Sequence, residues 1–102
     1  MDSWIDEAEF KRRDKLSIIA EILDISKKGA LKTQVMYKAN LGFGQLNHYL
    51  EFMSKAKLIE NVGNSGKDRY KATEKGLDFL HRLSELTDLL KIEEKPRRQR
   101  KS

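Results

Sequence analysis

The sequence predicts a mainly helical α+β fold on three observations: four stretches whose apolar residues recur every three or four positions, a glycine-bearing break between the second and third, and two short alternating segments around a turn before the last. At 102 residues the chain has room for one core, and 38% apolar against 36% charged residues surrounds that core with a strongly charged shell. Without cysteine the fold must rest on packing, and thiolate catalysis and thiolate metal ligation are excluded. No run approaches the roughly 20 apolar residues of a membrane span, and Met1-Asp2-Ser3-Trp4 lacks the basic-then-apolar order of a signal peptide, so a cytoplasmic location is expected.

Leu16, Ile19, Ile22 and Leu23 return at three- and four-residue intervals, with Ile18 and Ile25 one face over and Asp14, Lys15, Glu21 and Asp24 opposite. This predicts an amphipathic helix over about 14–28, with Lys27 and Lys28 offsetting the negative end of its dipole and Gly29 stopping it. Ala30, Leu31 and Lys32 make a short extended link. Thr33 is then placed to cap a short second helix with Val35, Met36 and Ala39 on its apolar side. Asn40 tolerates the left-handed conformation that ends a helix, and Leu41-Gly42-Phe43-Gly44 turns the chain. A third helix follows over about 43–55. Leu46, Tyr49, Leu50 and Met53 line one face, Gly44, His48, Glu51 and Lys55 the other, with Gln45 and Asn47 on the flanks. Two helices across a tight glycine-bearing turn are the signature of a helix-turn-helix, whose second helix presents side chains outward.

The segments 58–62 and 69–72 alternate in part and enclose Gly63-Asn64-Ser65-Gly66-Lys67-Asp68, which predicts a β-hairpin with an exposed loop. A hairpin after a helix-turn-helix is the wing of a winged-helix domain. Thr73 caps a closing helix over 74–92, which carries more leucine than one core-facing stripe needs. Leu77 and Leu80 are expected to pack down on the domain. Phe79, Leu83, Leu86 and Leu90 advance by 4, 3 and 4 residues, the spacing of a coiled-coil seam, so a second copy of the chain is expected to cover them. A broad stripe against the first helix is the alternative.

The chain thus divides into a charged extension over 1–13, the winged helix-turn-helix over 14–73, the closing helix over 74–92 and a basic tail over 93–102. The formal charge of +5 is uneven: residues 1–13 balance at −1, residues 14–90 at +2, and the last twelve at +4. In the extension, Trp4, Ile5 and Ala8 fall on one side of a potential helix. The tail is broken by Pro96 and has no apolar residue after Ile92, so disorder is expected there. Its Arg97, Arg98 and Arg100 suit a polyanion, and equally a solubilising end or a receptor-read address.

The run Lys32-Thr33-Gln34-Val35-Met36-Tyr37-Lys38-Ala39-Asn40-Leu41, followed by Gly42-Phe43, Leu46, Tyr49-Leu50, Leu58-Ile59, Tyr70, Thr73 and Lys75-Gly76, resembles the archaeal winged helix-turn-helix proteins. The nearest in size are the small ten-kilodalton dimeric DNA-binding proteins of archaeal chromatin and related predicted transcriptional regulators. The resemblance spans about residues 14–90. It implies a three-helix core with a wing, a homodimer through an antiparallel coiled coil of long C-terminal helices, and duplex DNA as ligand. The sequence departs from the family pattern with Val35 for Ile, Gly42 for Ser, Phe43 for Tyr and Lys57 for Gly, which removes a cap hydroxyl and a phenol from the turn.

Gln45, Asn47, His48, Glu51 and Lys55 bring donors and acceptors to the outward side of the third helix, where Gln or Asn suits adenine and Glu can accept from cytosine. Arginine is absent from that helix. Since Arg on guanine is the commonest specific contact, readout is expected to lean to A·T or to depend on the backbone. Lys32, Thr33, Lys38, Lys67, Arg69 and Lys71, with Arg97, Arg98 and Arg100, are the expected phosphate contacts; for any one of them the bland alternative is a solvated surface charge. Tyr37, Phe43, Tyr49 and Met53 are at helical spacing and are expected to pack rather than to stack on bases, with Phe52, near the edge of the apolar face, as the exception. His48 and His81 lack a third ligand at metal spacing, and no nucleophile, base or phosphate-cradling glycine motif is present. The expectation is therefore a homodimeric double-stranded DNA-binding protein, a transcriptional regulator or chromatin component, with no catalysis, metal, cofactor, small-molecule ligand or membrane. The alternative is a winged-helix protein-interaction module without direct DNA binding.

Overall fold

The computed structural model describes residues 14–94. In chain order the elements are α1 (Lys15–Ile25), β1 (Ala30–Leu31), α2 (Lys32–Ala39), α3 (Phe43–Lys55), β2 (Ile59–Asn61), β3 (Arg69–Ala72) and α4 (Glu74–Glu94). The expectations for the extension over 1–13 and for Arg97, Arg98 and Arg100 lie outside the described residues.

Asp14 caps α1, its carboxylate accepting the Ser17 N–H at 2.8 Å. Ile18, Ile19, Ile22 and Leu23 are buried. Leu16 is not: although it lies on the same side as Leu23, it stands in the first turn of the helix and remains 52% exposed. The helix stops at Ile25, short of the predicted 28, because the Ser26 carbonyl turns to accept the N–H groups of Gly29 and Ala72, each at 3.0 Å. A tertiary bond to β3 ends the helix before its sequence signal does.

The second helix likewise begins earlier than expected. Thr33 is not its cap; Leu31 is, and the Gln34 side chain reaches back to accept the Leu31 N–H at 2.9 Å. Val35 and Ala39 are buried, and Asn40 closes the helix in the left-handed region at φ 56°. α3 spans the predicted residues, burying Leu46, Leu50 and Met53, with Tyr49 half-buried against the same core. At its head the Gln45 side chain accepts the Gly42 N–H at 3.2 Å, one half of a capping box whose other half a hydroxyl at 42 would supply.

The wing hairpin belongs to a three-stranded antiparallel sheet ordered β1-β3-β2. Ala30 and Leu31, a mere link in the sequence, pair with Tyr70 and Arg69, because a two-residue strand is too short to carry an alternation signal. Ile59, Glu60 and Asn61 pair with Ala72, Lys71 and Tyr70. The turn from α3 into β2 passes through Lys57 at φ 67°.

Thr73 caps α4 as predicted, accepting the Gly76 N–H at 3.0 Å and donating to the Lys57 carbonyl at 2.7 Å. Gly76 sits against the Leu58 carbonyl so closely that any side chain there would collide with it. That contact fixes which face of α4 turns inward. Phe79 and Leu80 pack on the core, whereas Leu77, expected to pack down, is 41% exposed. The 21 residues of α4 make a rod of about 31 Å at 1.5 Å per residue.

Candidate nucleic-acid interface

The outward side of α3 carries Gly44, His48, Glu51 and Lys55, all exposed. Lys55 Nζ lies 3.5 Å from a Glu51 carboxylate oxygen, a solvent-exposed pair weak enough to open for a ligand. Gln45 is exposed, but its carbonyl oxygen is committed to the helix cap, leaving its amide N–H groups. Asn47 is half-buried on the flank. The His48 ring meets Tyr49 edge-on, with centroids 6.0 Å apart and planes at 80°.

In β3 the side chains alternate: Arg69 and Lys71 are exposed, Tyr70 is half-buried and Ala72 buried. Glu60 stands opposite Lys71 in the register, and Leu31 opposite Arg69. Lys67 is exposed in the wing loop; Thr33 and Lys38 are exposed on α2. The Tyr70 phenol is pushed above its ordinary value first by burial and then by the Asp68 carboxylate nearby.

The wing is held by a residue that sequence reasoning missed. Asn61 accepts the N–H of Gly63 at 2.9 Å and of Arg69 at 3.3 Å, and donates to the Asp68 carboxylate at 3.0 Å. One amide side chain thus ties both strands at the base of the loop. The signal was available, since an Asn two residues before a Gly is the pattern of an Asx turn. At Gly63 a side chain would run into the Lys67 carbonyl, so the loop closes on bare backbone.

Tyr37 and Phe43, expected to pack, do not, and Phe52, the expected exception, is exposed as well. Tyr37 is 86% exposed, Phe43 63% and Phe52 52%. Tyr37 faces away from Val35 on a helix too short to bury two faces, Phe43 precedes the first buried turn of α3, and Phe52 flanks its polar side. The ammonium of Lys32 sits over the Phe43 ring, 4.8 Å from its centroid. Through its backbone N–H, Lys32 also donates to the Asp68 carbonyl at 3.0 Å. The head of α3 and the wing strand therefore meet at a single residue.

On α4 the expected dimer row divides. Phe79 packs on the domain's own core and Leu83 is half-buried, while Leu86, Leu89 and Leu90 are about three-fifths exposed, at 59%, 61% and 62%. Among the described residues no helix is long and apolar enough to cross a membrane.

Residues 12–91 match the protein family described as winged helix-turn-helix. The chain belongs to that family. An uncharacterised protein of Methanocaldococcus jannaschii is 31% identical over 80 residues, which cover 78% of each chain. Among solved structures, Sso10a-2, a DNA-binding protein from Sulfolobus solfataricus, superposes with a TM-score of 0.70 at 21% identity, over 88% of this chain and 99% of its own. Both similar proteins are archaeal, in keeping with the resemblance carried by Met36-Tyr37-Lys38-Ala39-Asn40-Leu41. In this winged helix-turn-helix, the wing is β2, β3 and their loop, and α3 is the helix that the fold presents outward.

Proposed function

We propose that the protein binds double-stranded DNA as a homodimer, acting as a transcriptional regulator or chromatin-associated protein. α3 enters the major groove with Gln45, Asn47, His48, Glu51 and Lys55 at base edges. Lys67, Arg69 and Lys71 of the wing follow the adjacent backbone, with Lys32, Thr33 and Lys38 on phosphates beside the helix. The observation that carries this reading is the junction at Lys32, which ties the exposed polar helix to the basic wing strand so that one duplex can meet both. The DNA-binding character of Sso10a-2 and the family match support it.

A salt series tests it. If about six phosphates are neutralised per complex, the log–log dependence of affinity on salt should have a slope of about −5. No complex at low salt, or a flat dependence, refutes DNA binding and favours a protein-interaction module. For the homodimer, the exposed row Leu86, Leu89 and Leu90 gives the supporting surface. Leu86→Lys with Leu90→Lys should convert the dimer to monomers in sedimentation equilibrium without unfolding the domain, because neither residue is in the core. A parent chain already monomeric at high concentration overturns that part.

A further inference from the structure

We propose that Lys32 and Phe43 form a phosphodiester-holding station at the seam between α3 and the wing, with Phe43 as the positioning residue that aims the Lys32 ammonium. The proposal rests on the DNA-binding reading above and names a residue role which that reading does not contain.

A lysine on a surface is normally a charge at the end of a four-carbon stem, free to sample many rotamers. Lys32 differs at both ends. Its backbone opens α2 directly after β1, and its N–H is held by the Asp68 carbonyl at 3.0 Å, so its Cα is fixed by helix and sheet together. Its ammonium lies 4.8 Å from the centroid of the Phe43 ring, inside the roughly 6 Å range of a cation–π contact. Among the described residues no carboxylate forms an ion pair with it, so its charge is left for an external anion. Lys55 shares its charge with Glu51, and Lys71 faces Glu60 across the sheet.

Phe43 in turn has no packing role that explains it. It is 63% exposed at the first position of α3, outside the core cluster. A ring in that position restricts the ammonium of the half-buried Lys32 from one side and leaves its N–H donors without an acceptor among the described residues. The station also lies where a nucleic-acid backbone must pass in going from the groove occupied by α3 to the wing. A compact, hydrated ammonium suits a phosphodiester oxygen there better than a base edge, which rewards planar bidentate groups.

The test is a double-mutant cycle on the full chain, read by fluorescence anisotropy with a labelled mixed-sequence duplex at low salt. Phe43→Leu keeps the apolar bulk and removes the π face, and should weaken binding about two- to fivefold, the range of an exposed cation–π contact. Phe43→Trp should match or exceed the parent. Lys32→Ala should weaken binding by itself and abolish the effect of Phe43→Leu, because the ring acts only through the ammonium. Circular dichroism of each variant checks the fold, which substitution at so exposed a ring should leave intact. Parent-like binding by Phe43→Leu, or the same loss from Phe43→Leu with and without Lys32, overturns the station while DNA binding by the parent stands. If the parent itself forms no complex, the DNA-binding reading falls and the station with it.

Discussion

Replacing Lys57 by glycine, the residue the family pattern carries at that position, should make the protein more stable. The residue sits in the turn from α3 into β2 at φ 67°, in the left-handed region. Its carbonyl must point to the Thr73 hydroxyl at 2.7 Å and its N–H to the Ser54 carbonyl at 3.0 Å, so the turn cannot relax to a negative φ without losing both. A Cβ in that region costs about 1–2 kcal/mol, whereas the extra freedom glycine gives the unfolded chain costs about 0.4–1 kcal/mol, leaving a net gain of about 0.5–1 kcal/mol. For a domain of this size that corresponds to roughly 2–8 °C in Tm. The assay is thermal unfolding followed by circular dichroism at one fixed protein concentration, since self-association would otherwise shift the midpoint. Lys57→Ala serves as the control: it deletes the exposed side chain but keeps the Cβ, and should stay within about 0.5 kcal/mol of the parent. A glycine variant no more stable than the alanine variant would refute the reasoning.

Three other perturbations have defined outcomes. Ser26 is fully buried and its hydroxyl has no hydrogen-bond partner among the described residues, so Ser26→Ala should stabilise the domain by about 1 kcal/mol in urea unfolding; a loss of stability would mean that the hydroxyl has a role. Thr73→Val keeps the shape but removes both the cap to Gly76 and the bond to the Lys57 carbonyl, and should cost about 1–2 kcal/mol by the same measurement. The Tyr70 phenol is raised above 10.0 in the folded state by burial and by Asp68. Its contribution is therefore present below the unfolded value and lost as pH rises through the folded one. Tyr70→Phe should flatten the decline of the urea midpoint above about pH 10, and an unchanged decline would exclude Tyr70 as its source.

The division between chain and fold can be followed in single residues. Local pattern alone determined that residues 43–55 are a helix with a polar outer side, that Asn40 ends the helix before it, that Thr73 starts the last one, and that a hairpin surrounds residues 63–68. Each of these is a matter of spacing or of one side chain bonding its own neighbourhood, and such information is complete within a few residues. Packing decided the rest. Ser26 ends α1 because Ala72 claims its carbonyl, Ala30 and Leu31 become a strand because β3 lies beside them, and Gly76 turns Phe79 inward and leaves Leu77 outside because Leu58 is in contact. The meeting of Lys32, Phe43 and Asp68 is of the same kind. Its members are 11 and 36 residues from Lys32 along the chain, so no periodicity could announce it, and only the closing of helix and sheet around one core brings them together.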